Sequence, residues 1–363
     1  MDEAERRALG VGVGRRRPFV VELFSFIAVL LGYLLLLPAI VWYPAYLSIG
    51  DSRWWMFVIN SIAPYLFLPV PLVLLLALLS RRWALFIAAL LPTLLFLMLF
   101  GPLFVPRAMK VTAVPAGTPG ITMLSHNLHV WNEDADGIAA SLTSSGADVI
   151  ALQELSAEMA AALERRLSDE YPYNDLVLRD GWDGLGVFSR IPLTPVGDRI
   201  GTSRTRNPQI SRLHLDWGDA ILINVHNLSI PRTLPDWPTE ITYSVAHRES
   251  VAHGIADYAG RDGRLPIIAA GDFNTTSRST AYELVAAGLQ DSWVEAGFGF
   301  GTTFPGGPFS PTPLGVTVPD WLLRIDYVFH SDEIVATDAR FAPWDGTSDH
   351  RPIMVKLAWP GAL

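Results

Sequence analysis

The chain has no cysteine. That excludes disulfides and thiolate metal sites, and it leaves the redox compartment open. Lysine is nearly missing too: Lys110 and Lys356 are its only instances, and arginine supplies the other basic residues. We read that bias as one of source composition, not of function. Past residue 105 no basic run is longer than Arg165-Arg166, so the basic stripe of a non-specific nucleic-acid binder is absent from the sequence. There is no internal repeat and no low-complexity tract, which sets aside solenoids and arrays. What is abundant is apolar sequence: half of the 363 residues, with a mean hydropathy of +0.29. That is too apolar for an ordinary soluble protein of this length.

The excess lies at the front. Phe19–Tyr43, Met56–Leu79 and Trp83–Val105 are nearly continuous apolar runs, each long enough for a bilayer core that needs about 20 residues. Trp42, Tyr43, Trp54, Trp55 and Trp83 lie at their ends, where an aromatic belt would sit. A cleaved signal peptide does not account for three runs. The middle run carries Pro64, Pro69 and Pro71, so it reads as a crossing helix within a bundle or, alternatively, as a re-entrant loop. Arg6, Arg7, Arg15, Arg16 and Arg17 make the tail, residues 1–18, the most positive flank. The tail is therefore expected in the cytoplasm. Three crossings then place the rest outside it; a re-entrant middle run would place it inside.

Residues 106–120 are rich in Pro, Gly, Ala and Thr and read as a linker. Residues 121–363 have the size of one large domain. Strands are expected at Gly120–His126, Asp148–Leu152, Leu185–Ser189, Ile210–Asp216, Ile221–His226, Leu265–Ala270, Ile325–His330 and Ile353–Lys356. Helices are expected at Asp136–Ser144, Ala157–Leu167, Thr239–Tyr258 and Ser279–Ala287. This mixture predicts an α+β domain whose sheets pack on each other, with helices outside.

Six of these strands end alike. "GITMLSHN" ends at Asn127, "DVIALQE" at Glu154, "ILINVHN" at His226-Asn227 and "PIIAAGDFN" at Asp272 and Asn274. "LRIDYVFHS" carries Asp326, and "GTSDHRPIMV" carries Asp349-His350 ahead of the last strand. One such tip is only turn chemistry. Six predict a shared polar cleft at one edge of the sheets. Carboxylates with Asn and His, and no Cys, suit a hard divalent cation such as Mg²⁺ or Mn²⁺. Such an ion polarises a phosphoryl oxygen.

The segments "SHN", "LQE", "GVFSR", "NVHN", "GDFN", "RIDYVF" and "SDHRP", in this order, resemble the endonuclease/exonuclease/phosphatase superfamily, which includes DNase I and the neutral sphingomyelinases. The resemblance implies a four-layer sandwich of two sheets with outer helices. It implies that Glu154 is the main metal ligand, with Asn127 and Asp349 near the same Mg²⁺ or Mn²⁺. Asp272, helped by Asn274, would activate the attacking water. His226 would contact the scissile phosphate, and His350, held by Asp326, would stabilise transition-state charge. Asn227 departs from the family pattern, in which Leu often follows the His. His126 and His129 match no family role and are read as structural. Arg190, Arg206, Arg212 and Arg248 are read as surface charges rather than phosphate partners. Trp182, Trp293 and Trp321 stay open between cleft mouth and core.

The expectation is a membrane-anchored, metal-dependent phosphoester hydrolase. A nuclease and a non-catalytic module of the same fold are the alternatives. Eight of the 27 basic and five of the 36 acidic residues precede Pro106, so the remainder carries a net charge of −12. That disfavours a long polyanion. A membrane lipid phosphate, pyrophosphate or phospholipid is the expected substrate and the bilayer the expected partner; no obligate protein partner is called for. Membrane-anchored proteins similar to the VanJ-type teicoplanin-resistance proteins combine N-terminal spans with such a domain.

Overall fold

The computed structural model describes residues 19–111, 113–179, 181–200, 207–230, 236–261, 263–309 and 317–362. The arginine-rich tail and Arg206 lie outside them. The chain divides into two compact units, Met1–Pro44 with Pro64–Phe96, and Ala45–Ala63 with Leu97–Leu363.

The first unit is built from apolar helices. They come from α1 (Phe19–Ile49), α3 (Pro69–Leu79) and α4 (Trp83–Phe100), while α2, Trp54–Ser61, belongs to the second unit. Two stretches, Phe19–Ile49 and Trp83–Phe104, are long and apolar enough to cross a membrane, each with a mean hydropathy of 2.5. Leu31, Leu34, Leu91 and Leu94 are exposed on them, and a helix apolar all round suits lipid rather than water. The middle run is broken: Trp54–Ser61 and Ala63–Leu79 meet at a 67° bend. The second piece is about 17 residues long, the lower end of what a bilayer core needs. Inside this unit α1 and α4 touch closely, since a Cβ on Gly32 would lie 2.7 Å from Leu85 Cδ2.

The second unit holds two six-stranded sheets. Sheet one has the order β11-β12-β1-β2-β4-β3, from Val335–Phe341, Ile353–Ala358, Gly120–Asn127, Val149–Gln153, Leu185–Ser189 and Tyr173–Val177. Sheet two has the order β5-β6-β7-β8-β10-β9, from Leu193–Pro195, Gln209–Leu215, Gly218–His226, Ile267–Asp272, Asp326–His330 and Gln290–Asp291. Each sheet has one parallel pair at its centre, β1 with β2 and β7 with β8. A parallel pair needs a crossover. Helix α6 (Ala135–Ser145) supplies the first and α8 (Trp237–Ala259) the second; α5 is the short turn Arg107–Lys110, and α7 spans Ala157–Leu167.

Period-two alternation explains the layers. Leu124, Ile150, Leu152 and Phe188 face outward onto Ile138, Leu142, Met159 and Leu163 of α6 and α7. Ile221, Ile223, Val225, Ile267 and Phe329 face outward onto Val251 and Ile255 of α8 and onto Val285 of α9, which spans Thr280–Ala286. Each such side chain stabilises the fold by roughly 1.5–3 kcal/mol. The opposite faces of the two sheets meet. There Gln153 Nε2 donates to Asn224 Oδ1 at 2.7 Å, and Asn224 Nδ2 donates to Leu152 O at 3.1 Å. The sheets are thus joined by amides directly beneath the polar strand tips. Strands β3, β5, β9 and β11 go beyond the sequence expectation. They are short, polar or bulged edge segments without a clean apolar period. The expected linker starts as a tied segment: Arg107 Nη1 donates to Asp338 Oδ1 at 2.7 Å and Lys110 Nζ to Val294 O at 3.0 Å.

Candidate active site

Strand register assembles the site. His226 pairs with Asp272 across the parallel β7–β8 ladder, and Asp326 pairs with Asp272 across β8–β10. Three chemical side chains therefore stand side by side on one face of sheet two. On sheet one Asn127 pairs with Gln153, and Glu154 follows at the end of β2. Close approach of the β7 and β8 ends depends on Gly271. Its φ is +141°, and a Cβ there would lie 2.0 Å from Val225 O.

The eight residues expected from the sequence form one connected set. Asn127 Nδ2 donates to Glu154 Oε1 at 3.2 Å and to Asp272 Oδ2 at 3.0 Å, bridging the two sheets. His226 Nε2 lies 3.6 Å from Glu154 Oε1 and 4.0 Å from Asp272 Oδ2. Asn274 gives Asp272 both its backbone N–H, at 2.8 Å, and its Nδ2, at 2.9 Å. His350 Nδ1 is 2.9 Å from Asp326 Oδ2, and its Nε2 is 3.8 Å from Asp272 Oδ2 and 4.0 Å from Asp349 Oδ1. Glu154 and Asn274 both adopt positive φ, +54° and +50°. Non-glycine residues hold such backbones only where their surroundings dictate it, typically at functional sites. For Glu154 one restraint is visible: Val130 N–H donates to Oε2 at 2.9 Å.

Electrostatics separates the carboxylates. Burial pushes the Asp272 carboxyl above the usual carboxylate range, against the pull of His350. Burial alone would lower His350, but the Asp326 and Asp272 carboxylates outweigh it and raise its pKa to about 10. The two carboxylates therefore favour the imidazolium form of His350, oriented through Nδ1 by Asp326, with Nε2 turned toward Asp272. Phe304 covers the ring, centroid to centroid at 4.8 Å.

Does the site suit a divalent cation? Asp272, Asp326 and His350 bring one ligand atom each within 4.8 Å of one another. The two carboxylates favour the protonated form of His350, which donates rather than ligates, so within this trio the oxygens are the ligand atoms to weigh. The oxygen donors are the better candidates: Glu154 Oε1 and Asp272 Oδ2 both accept from Asn127 Nδ2 and both lie within 4.0 Å of His226 Nε2, with no sulfur among them. Asp326 Oδ1 is buried with no hydrogen-bond partner among the described residues. Hard oxygens of this kind fit Mg²⁺ or Mn²⁺. Asn127 turns its donor end to the carboxylates, its Oδ1 accepting from His129 N–H at 3.0 Å.

Other residues hold the frame. Ser348 Oγ donates to Asn127 O at 2.7 Å and accepts from His350 N–H at 3.0 Å, tying the "SDH" loop to β1. Burial lowers the pKa of His126, whose Nε2 lies 3.2 Å from His350 O. Asn227 N–H donates to Asp272 O at 2.9 Å, and Asn274 Nδ2 to Asn227 O at 2.9 Å. Only "SDH" and "NVHN" as quoted motifs pointed to Ser348, Asn224 and Asn227, and nothing in them gave Asn224 its role between the sheets. Arg190 pairs with Glu170 and Asp148, and Arg212 with Asp219. Arg248 is no surface charge but 1% exposed. Trp293 is buried, Trp321 stacks on Arg351, and Trp182 is exposed against Trp131.

With this geometry in place, the Endonuclease/Exonuclease/phosphatase family profile matches residues 124–350. The chain belongs to that family. Its members are phosphoester hydrolases that use divalent metal ions. No curated protein matches the chain. Among solved structures, a functionally unknown conserved protein from Enterococcus faecalis V583 is 17% identical, with a TM-score of 0.51 over 66% of this chain and all of that one. D. rerio TDP2 complexed with single strand DNA product is 19% identical, with a TM-score of 0.51 over 66% of this chain and 98% of that one. Sphingomyelinase C from Streptomyces griseocarneus is 19% identical, with a TM-score of 0.47 over 66% and 99% of the two chains. These likenesses concern the fold.

Proposed function

We propose that this chain is a membrane-anchored, divalent-metal-dependent phosphoester hydrolase acting on a membrane lipid phosphate, pyrophosphate or phospholipid. The observation that carries the hydrolase reading is the Asp326–His350 pair aimed at Asp272. A buried, raised carboxylate is suited to take a proton from an attacking water. Asn274 and Asn127 hold that carboxylate by three hydrogen bonds. As the water attacks phosphorus, negative charge grows on the phosphoryl oxygens. The His350 imidazolium and the His226 imidazole are placed to donate to them, and fixed donors in a buried site are worth most there. A cation held by Glu154, with Asp349 and Asn127 beside it, would supply Lewis-acid stabilisation of the same charge.

The lipid reading rests on charge and connectivity. A domain at −12 gains nothing from a long polyanion, whereas an anchor raises the effective concentration of a lipid substrate. The VanJ-type combination of spans and domain is in keeping with this reading.

Chain connectivity supports the extracytoplasmic orientation. The end of α1 and the segment after it, residues 45–63, belong to the unit that holds the sheets: Asp51 Oδ2 accepts from Thr280 N–H at 2.8 Å, and Phe57 packs with Ile241 and Val245. The segment after α1 and the domain after α4 must then share one side of the bilayer. If α1 and Trp83–Phe104 both cross, Ala63–Leu79 crosses as well. With the arginine tail in the cytoplasm, the domain is outside. The deciding assay incubates full-length protein in detergent with Mg²⁺ or Mn²⁺ and a panel of lipid pyrophosphates, phospholipids and plasmid DNA. Headgroup or phosphate release without nicking supports this reading; nicking without release makes the chain a nuclease.

A further inference from the structure

Arg248, at the middle of α8, is the largest side chain buried to less than 2% exposure. Its Nε donates to Leu228 O at 2.8 Å. The ring of Phe57 lies against its guanidinium, 4.8 Å from Cζ to the ring centroid. Nη1 and Nη2 are buried without a hydrogen-bond partner among the described residues. Burial pushes the guanidinium down to about 10, with Asp272 and Asp51 pulling it back. An arginine kept so deep at such cost is poor filler. A leucine or methionine would pack there without buried N–H groups left over.

Its one strong hydrogen bond falls two residues past His226. The 226–228 segment is held on its other side by β8, through Asn227 N–H to Asp272 O and Asn227 Nδ2 to Phe273 O at 3.2 Å. Ile230, just beyond, joins the cluster of Phe57, Ile241 and Val245. Phe57 comes from α2, in the segment that follows the first apolar helix. Asp51 and Asn60 close that segment at 2.8 Å, and Asp51 fastens it to Thr280.

We infer that Arg248 is a positioning residue: clamped by Phe57, it fixes the 226–228 segment and so aims His226, which makes the 45–63 segment a working part of the active site. A His donor displaced by an ångström loses much of its effect, on the order of 100-fold in rate. This role rests on the hydrolase reading, but its structural half does not.

The test uses full-length protein in detergent with Mn²⁺ and bis(p-nitrophenyl) phosphate as probe. Arg248→Met, Phe57→Leu, His226→Ala and the Arg248→Met/His226→Ala double variant are compared in kcat, KM and melting temperature. Amide hydrogen exchange of the peptide covering residues 226–230 is followed in parallel. The expected result is a kcat loss of about 100-fold for Arg248→Met, with KM changed less than about threefold. Phe57→Leu, which keeps the apolar bulk and removes the ring, loses less. Adding Arg248→Met to His226→Ala costs little more, since both act through one group. Exchange rises at 226–230 in both single variants and stays unchanged in β1 and β2. Multiplying penalties in the double variant, or a lowered melting temperature with unchanged kcat, overturns the inference. If wild-type protein hydrolyses no phosphoester, the hydrolase reading falls by itself. Exchange then decides: protection at 226–230 untouched by Arg248→Met overturns the clamp.

Discussion

The two sheets of the second unit are built alike, each around a parallel pair joined by one helix, yet they contribute unlike side chains. Sheet one ends in Glu154, whose side chain is 14% exposed and whose backbone is forced into positive φ. Sheet two ends in Asp272 and Asp326, which are 1% exposed, with His350 against them. The open carboxylate can meet a cation from solvent. The closed set is deeply buried, where charge–charge interactions are strongest. The comparison teaches that one end admits and the other holds fixed charge, with Asn127 as the hydrogen-bonded bridge between them.

The largest effect should come from breaking the open side. Glu154→Gln is expected to lower kcat/KM by roughly 10³-fold or more, the scale of losing a central charged group. The melting temperature should stay near wild type and the half-activating Mn²⁺ concentration should rise, which a metal titration with the probe phosphodiester checks. On the closed side, Asp326→Asn and His350→Ala should each cost about 10²–10⁴-fold. Steady-state kinetics of the double variant should show little beyond the worse single change.

Beneath both sides, Gln153→Leu leaves Asn224 Oδ1 unpaired between the sheets. It should lower stability by about 1–3 kcal/mol. Denaturant unfolding should show Gln153→Leu/Asn224→Leu recovering part of that loss.

These sites differ in how legible they were. The polar tips were readable because alternation ends abruptly there. In "IIAAGDFN" and "ILINVHN" a buried strand gives way to residues that nothing apolar requires. The strands that carry them follow the expected positions within a few residues. Asn224 and Gln153 were not readable as a pair, since their partnership spans 71 positions and depends on which faces meet. The edge strands β3 and β11 carry Asn, Asp and Arg because one side of each is unpaired, so they lack the periodic signal. Arg248 read as a surface charge because arginine usually is one. Only the packing of α2 and the 226–230 segment buries it.

A smaller effect separates the two sides by pH. His350 binds its proton more tightly folded than unfolded, up to about 10 against an ordinary 6.5. Its stabilisation is complete below about pH 6.5 and is lost as pH rises toward 10. Burial raises Asp272 as well, which shifts stability in the same direction. Metal-free protein should therefore melt at progressively lower temperature from pH 6.5 to 10. In His350→Gln the upper part of that decline should flatten, as scanning calorimetry at matched ionic strength can show.

The most direct test of the account is whether the two sides make one metal-dependent phosphoester hydrolase. Full-length protein is assayed on bis(p-nitrophenyl) phosphate and on the lipid panel, first as purified with Mn²⁺, then after EDTA, then with Mn²⁺ restored. The account predicts hydrolysis that EDTA abolishes and Mn²⁺ returns in wild type, and that neither treatment elicits in Asp272→Asn. Hydrolysis that survives EDTA, or that persists in Asp272→Asn, would contradict it.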